Sequence, residues 1–199
     1  IENTKLTHLT DQRDAPVVFY TPKVDPQAVL EIFKAVGIPV QGKVGLKVVF
    51  GNNRDRAKMI DPDLLKPIAD ELRATLIESN YMDSARSDAT THLSTAKELG
   101  YDRVAPIDIL DADREIVIPV RNGYHLKEFI TGSHLANYDT LVSIVRFKGH
   151  NLQRYGGSMK NLSICLGTAR GACQIHSAGE VTDYYRPSSP KETSESMAD

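Results

Sequence analysis

Three short runs dominated by apolar residues constrain this chain most: Lys43 to Phe50, Ala74 to Glu78 and Thr140 to Phe147. In each, apolar residues occupy odd and even positions alike, the pattern of a strand buried on both faces rather than one. Helical patterns lie between them. Asp61 is placed to cap, and Pro62 to open, a helix over Asp63 to Leu72. Ser87 or Asp88 caps a further helix that runs through Leu99 and stops at Gly100. Upstream, Val29, Ile32, Phe33 and Val36 share one face of a helix from Asp25 to Val36, with Gly37 as its stop. Strands that alternate with helices give βαβ units. The expected fold is therefore α/β, a mostly parallel sheet with helices on both faces.

Other segments fit that rhythm less well. Ala15 to Thr21 reads as a short β-branched and aromatic strand, and Met159 to Leu166 as a helix start after a glycine loop. Residues 101–138 break the alternation and read as an irregular β-containing insertion, with Ile107 to Leu110 and Glu115 to Val120 joined at Asp111-Ala-Asp113. One domain is expected over residues 1–185. Residues 186–199 are either a tail or the first turns of a helix opened by Pro190.

Composition narrows the function classes. Hydrophobic residues make up 41% and charged residues 25% of the 199, which is ordinary globular usage and sets disorder aside. No apolar run is long enough for a spanning helix. A formal net charge of -2 argues against a nucleic-acid or membrane-surface binder. Two cysteines exclude a disulfide scaffold, and the missing CxxC motifs speak against a self-contained ferredoxin or zinc ribbon. With so few thiols and no charged-then-apolar leader after Ile1, a reducing cytoplasm is the expected compartment.

In sheets of this kind ligands bind outside the carboxyl ends of the strands. Three such ends here lead into polar loops: Gly51 to Arg56, Ser79 to Arg86, and Lys148 to Asn161. Converging on one edge, they would gather Arg54, Arg86, Lys148, Arg154 and Lys160 into a local positive field. The bland alternative is that these are ordinary solvated βα loops. In the third loop, Gly156 and Gly157 free the backbone for positive φ and close approach. Their amides, with the helix that follows, suit an oxyanion. Lys148 and Lys160 add charge, Gly149 and Asn161 flank the loop, and His150 can donate, ligate a metal or exchange a proton near neutral pH. Neither GxxxxGK[ST] nor GxGxxG occurs in this loop.

The remaining histidines and the cysteines carry weaker signals. His92 reads as a surface or helix-end residue, and His125 and His134 as solvated loop positions. Cys165, Cys173 and His176 form a loose cluster whose spacing permits metal ligation, although a tetrahedral site needs four donors. Cys165 also reads as a small buried hydrophobe.

Phe147-Lys-Gly-His150 through Tyr155-Gly-Gly-Ser-Met-Lys-Asn-Leu162 closely resembles the signature of the domain of unknown function 362 family, the uncharacterised iron–sulfur-centre proteins. The similarity takes in Gly42-Lys-Val-Gly-Leu-Lys47, Asp63-Leu-Leu-Lys-Pro-Ile68, Glu78-Ser-Asn80, Thr91-His92-Leu93 and Ile175-His176-Ser177. The resemblance implies a redox-associated or small-molecule enzyme domain. Its site would be built from Asn80, His92, Lys148, His150, Gly156, Gly157, Lys160 and Asn161, with His150 and Lys160 as the chemical groups. It implies an iron–sulfur cluster in the full-length protein, and a chain that continues past Asp199. A non-catalytic ligand-binding or assembly module is the alternative. The expected partners are a small anionic ligand and another copy of the chain, with neither nucleic acid nor membrane. Arg154 stands where the family loop usually carries a small residue, which would narrow the site or add an anion contact.

Overall fold

The computed structural model describes residues 17–51, 59–82, 85–150 and 154–199. Its main sheet is formed by β1 (Val44–Lys47), β2 (Thr75–Glu78), β3 (Ile107–Ile109) and β6 (Thr140–Ser143), in the order β3-β2-β1-β6 and parallel throughout. The α/β expectation holds. β1 is central and every one of its residues is buried, as an apolar run without alternation requires. Leu46, Val48, Phe50, Leu65, Ile68, Leu76 and Tyr101 form the heart of the core.

The helices beside the sheet obey their local signals. α1 (Pro26–Val36) is capped by the Asp25 carboxylate, which accepts the Ala28 N–H, and is closed by Gly37 at φ 68°. α2 (Pro62–Leu72) begins on Asp61 as its cap. α3 (Ala89–Glu98) begins on Asp88, which accepts the Thr91 N–H at 2.9 Å. α1 and α2 pack against one another, so their apolar faces and the sheet bury a single core. Among the described residues, no helix is long and apolar enough to cross a membrane.

Residues 101–138 depart from expectation in an instructive way. Ile107–Ile109 is no hairpin arm: it is the fourth parallel strand, and Leu110 N–H donates to the Glu78 carbonyl at 2.8 Å, extending that pairing. β4 (Glu115–Pro119) pairs instead with β5 (Glu128–Gly132) as a separate antiparallel ribbon. The sheet captures Ile107 and Ile109 because β2 leaves one edge unfilled, and nearness in sequence gave no signal of that. Val17 to Thr21 carry no strand, with Val17 and Val18 largely exposed, while Ala15 and Pro16 lie outside the described residues. The strand expected over Thr140 to Phe147 pairs only as far as Ser143, since β6 sits at the sheet edge.

The last quarter of the chain, from Lys148 on, adds a short ribbon and three helices. β7 (Lys148–His150) pairs with β8 (Arg154–Gly156), and α4 (Ser158–Leu162), α5 (Ala169–His176) and α6 (Pro190–Ala198) follow. Residues 190–198 are thus helical rather than a loose tail, begun by a capping box in which Ser189 and Glu192 satisfy each other's backbone amides. The Asp199 carboxylate accepts the N–H groups of Tyr124, His125 and Leu126, each at 2.8 Å, which fastens this helix to the β4–β5 ribbon. The Leu166 carbonyl accepts both Ser79 Oγ–H at 2.9 Å and Thr131 Oγ1–H at 2.7 Å, joining β2, β5 and the α4–α5 turn at one atom.

α5 lies against β5 so closely that a Cβ on Gly171 would stand 2.0 Å from the Ile130 carbonyl oxygen. Gly171→Ala is therefore expected to force the helix off the ribbon and cost about 2 kcal/mol. A urea titration should show it as a lower midpoint with little change in slope.

Candidate functional site

Lys47 is the first unusual feature of this region. β1 is buried on both faces, so this lysine has no route to water and is 0% exposed. Its Nζ donates to the Val48 carbonyl at 2.9 Å and to Asn161 Oδ1 at 3.1 Å. Asn161 returns the contact: its Nδ2 donates to the Lys47 carbonyl at 3.1 Å and to Ser143 Oγ at 2.9 Å. One amide thus ties α4 to β1 and β6. Burial pushes Lys47 below the ordinary lysine range, against the pull of Glu78.

Glu78, at the end of β2, is the counter-charge. Its Oε1 accepts Arg86 Nη1–H at 3.1 Å, and its Oε2 accepts the Phe50 N–H at 2.8 Å and lies 3.2 Å from His92 Nε2. Burial alone would raise this carboxyl, but the His92 hydrogen bond and the charges of Arg86 and Lys47 outweigh it and hold Glu78 at about 2. His92 Nδ1 sits 3.2 Å from Asn80 Oδ1, and the Asn80 N–H donates to Asp111 Oδ1 at 2.9 Å. Burial raises the Asp111 carboxyl.

Above this network, at the carboxyl ends of β1, β2 and β6, lies a cleft of about 170 Å³. Its polar lining comprises Arg86, Arg146, Lys148, His150, Lys160 and Asn161, and no carboxylate belongs to it among the described residues. Arg86 is steered toward the cleft by Glu78 beneath and stacks over Tyr81, 4.9 Å from its ring centre. Lys160 Nζ lies 3.9 Å from Cys165 Sγ. The apolar part comes from Val49, Ile60 and Val145, with the Tyr81 ring.

Most of the residues expected at a site therefore meet here: Lys148, His150, Gly156, Gly157, Lys160, Asn161 and Cys165 all line the cleft. Asn80 and His92 do not line the cleft: His92 contacts Glu78, and Asn80 contacts His92. The expectation of a surface His92 is reversed, because the ring is 0% exposed. Gly149 is exposed on β7 and does not line the cleft. His125 and His134 are not free loop positions either: His125 Nε2 is 3.0 Å from Glu195 Oε2, and His134 bridges Asp108 and Asp113 at 2.7 and 2.8 Å. Arg54 lies outside the described residues. The backbone of Arg154 stands opposite that of His150 in the β7–β8 register.

The glycine pair serves differently from expectation. Neither Gly156 nor Gly157 has a positive φ; Gly156 is paired with Lys148, and Gly157 is extended at φ -167°. A Cβ at position 157 would meet the Tyr155 hydroxyl at 1.9 Å, so a side chain there would displace that half-exposed ring. α4 is only five residues long, and the charge of the cleft comes from cationic side chains rather than from a helix end.

Lys47, Glu78, Tyr81 and Arg146 are the participants that sequence reasoning passed over. A lysine inside a strand with no polar face was the available signal for Lys47, and it demanded a buried partner. Nothing local marked Glu78 as that partner.

Residues 44–199 match the family described as Domain of unknown function (DUF362). The chain belongs to this family. The match begins at the first residue of β1, so it takes in every strand and all helices but α1. No curated protein and no solved structure matches the chain.

The iron–sulfur cluster that the sequence resemblance implies would have to find its donors among the cysteines and histidines near the cleft. Among the described residues, no three His, Cys, Asp or Glu side chains come together as a metal site. Cys165 lines the cleft, whereas Cys173 is buried with its Sγ 3.3 Å from Met82 Sδ. His176, one helical turn on from Cys173, has its Nδ1 buried without a partner and its ring 4.9 Å from that of Tyr185. A four-thiolate cluster would need donors beyond these two cysteines.

Proposed function

We propose that this protein binds a small anionic molecule in the cleft at the carboxyl edge of its sheet, and acts on it by proton transfer. The observation that carries the reading is the charge balance of the lining. Arg86, Arg146, Lys148 and Lys160 line the space with no acid among the described lining residues, and Glu78, which holds Arg86, is engaged by Arg86, His92 and the Phe50 amide. A surface of that sign is complementary to an anion. At 170 Å³ the cleft is smaller than the roughly 300–1,000 Å³ of drug-sized pockets, which suits a small metabolite.

In this reading Lys160 and Lys148 hold the charged group, Arg86 orients it from the Glu78 side, and His150 gives or takes a proton on the bound molecule. Asn161 keeps α4, and with it Lys160, fixed to the strands that form the floor. A cluster finds one thiol in this cleft, that of Cys165, and no step of the reading passes through one. Two free thiols suit a reducing compartment, and the cytoplasm is the location we propose.

The test is the variant carrying both Lys160→Ala and His150→Ala. Both side chains reach solvent in part, so thermal unfolding should stay within a few degrees of the parent. Calorimetric binding of inorganic phosphate or acetate should fall by tenfold or more. Undiminished binding in that variant overturns the reading.

A further inference from the structure

The cleft lining carries apolar side chains as well as cations, and the apolar part narrows the class of ligand. Val49 and Val145 each lie two residues past Lys47 and Ser143, which are paired partners on the neighbouring strands β1 and β6. Ile60 enters from the start of α2, where Tyr101 OH donates to its carbonyl at 2.8 Å and fixes the segment to the core. All three side chains are only half-buried. An inorganic anion held by Lys148 and Lys160 would leave these carbons wet. A ligand that covers them removes apolar surface from water in addition to meeting the cations.

From this juxtaposition we infer that the ligand is an organic acid with a short apolar body, its acid group on the Lys148–Lys160 side and its hydrocarbon against Val49, Ile60 and Val145. The inference rests on the anion-binding reading and adds to it the chemistry of the ligand's other end. The space sets the limit of length. A cleft of about 170 Å³ favours a body of a few carbons over a long acyl chain or a dinucleotide.

A homologous series of straight-chain acids, acetate through octanoate, titrated into the full 199-residue chain alongside inorganic phosphate, tests this directly. Affinity is expected to rise about fourfold per methylene, the burial value for one CH₂, and to level off once the cleft is filled. Val145→Ser should flatten that rise. Lys160→Ala should weaken every member by a similar factor and keep the rise, because it acts on the shared head group. If phosphate and acetate bind and longer acids bind no better, the ligand class is overturned while anion binding stands. If neither phosphate nor any acid binds, anion binding itself fails and the inference goes with it.

Discussion

Glu78→Gln is expected to destabilise the protein by about 3–5 kcal/mol, the cost of removing one partner from a buried charge network. The substitution keeps the shape and removes the charge. Lys47 then has no counter-charge in a site with 0% exposure, and Arg86 loses the carboxylate that holds it. The glutamine also offers one carbonyl oxygen where the carboxylate accepted from Arg86 and the Phe50 amide on separate atoms. The measurement is a urea midpoint for Glu78→Gln, Lys47→Met and the double variant. Removing both charges should restore more than half of the loss, as apolar replacement of buried ion pairs often does. A Glu78→Gln protein as stable as the parent would mean that the network contributes nothing to folding. Acid titrates the same group. Glu78 is held at about 2, below its ordinary 4.5, so its contribution is complete above about pH 4.5 and is lost as pH falls toward 2.

A second acid transition should appear at milder pH, from His176. Burial, with Lys160 and His150 adding like charge, lowers this imidazole from 6.5 to about 4. The folded protein therefore holds the ring neutral, whereas the unfolded chain takes up a proton near pH 6.5. Stability is whole above pH 6.5 and declines as pH falls through the window from 6.5 to about 4, for a total of about 3 kcal/mol. The sign is the same as for Glu78, but the window is higher. Urea midpoints at pH 7 and pH 4.5 for the parent and for His176→Leu test it. The variant, which has no proton to take up, should lose much less stability on acidification. An equal loss in both would assign the transition to other groups.

The sequence was most informative where the signals were local. Asp61 followed by Pro62, Asp88 ahead of Thr91, and Gly37 after Val36 each fix a helix end within a few residues, and α1 to α3 stand where those signals put them. β1 and β2 were legible because a strand buried on both faces has no polar phase. The ribbon was not: β4 has to choose between β3, close in sequence, and β5, and that choice is made by tertiary pairing. α5 was missed because Gly171 interrupts an otherwise helical segment, and only its contact with Ile130 explains the glycine. The site divides in the same way. Lys148, His150, Lys160 and Asn161 sit in one loop and were read together. Glu78 and Tyr81 come from the end of β2, far in sequence from that loop, and meet it only because parallel strands end on the same side.

The Leu166 carbonyl has one further consequence. With both lone pairs taken by buried hydroxyls on different elements, it cannot be released by one of them alone. Cys165, the residue just before it, is the thiol that faces the cleft. Opening that wall of the cleft thus requires β2, the ribbon and the α4–α5 turn to let go together, so it belongs to a large cooperative unit and not to a fraying loop. The opposite wall, on β7 and β8, is a two-stranded ribbon with three residues in each strand, and it carries Lys148 and His150. Of the two, the thiol wall is the more firmly cross-linked, and the short β7–β8 ribbon is the side expected to exchange its amides first.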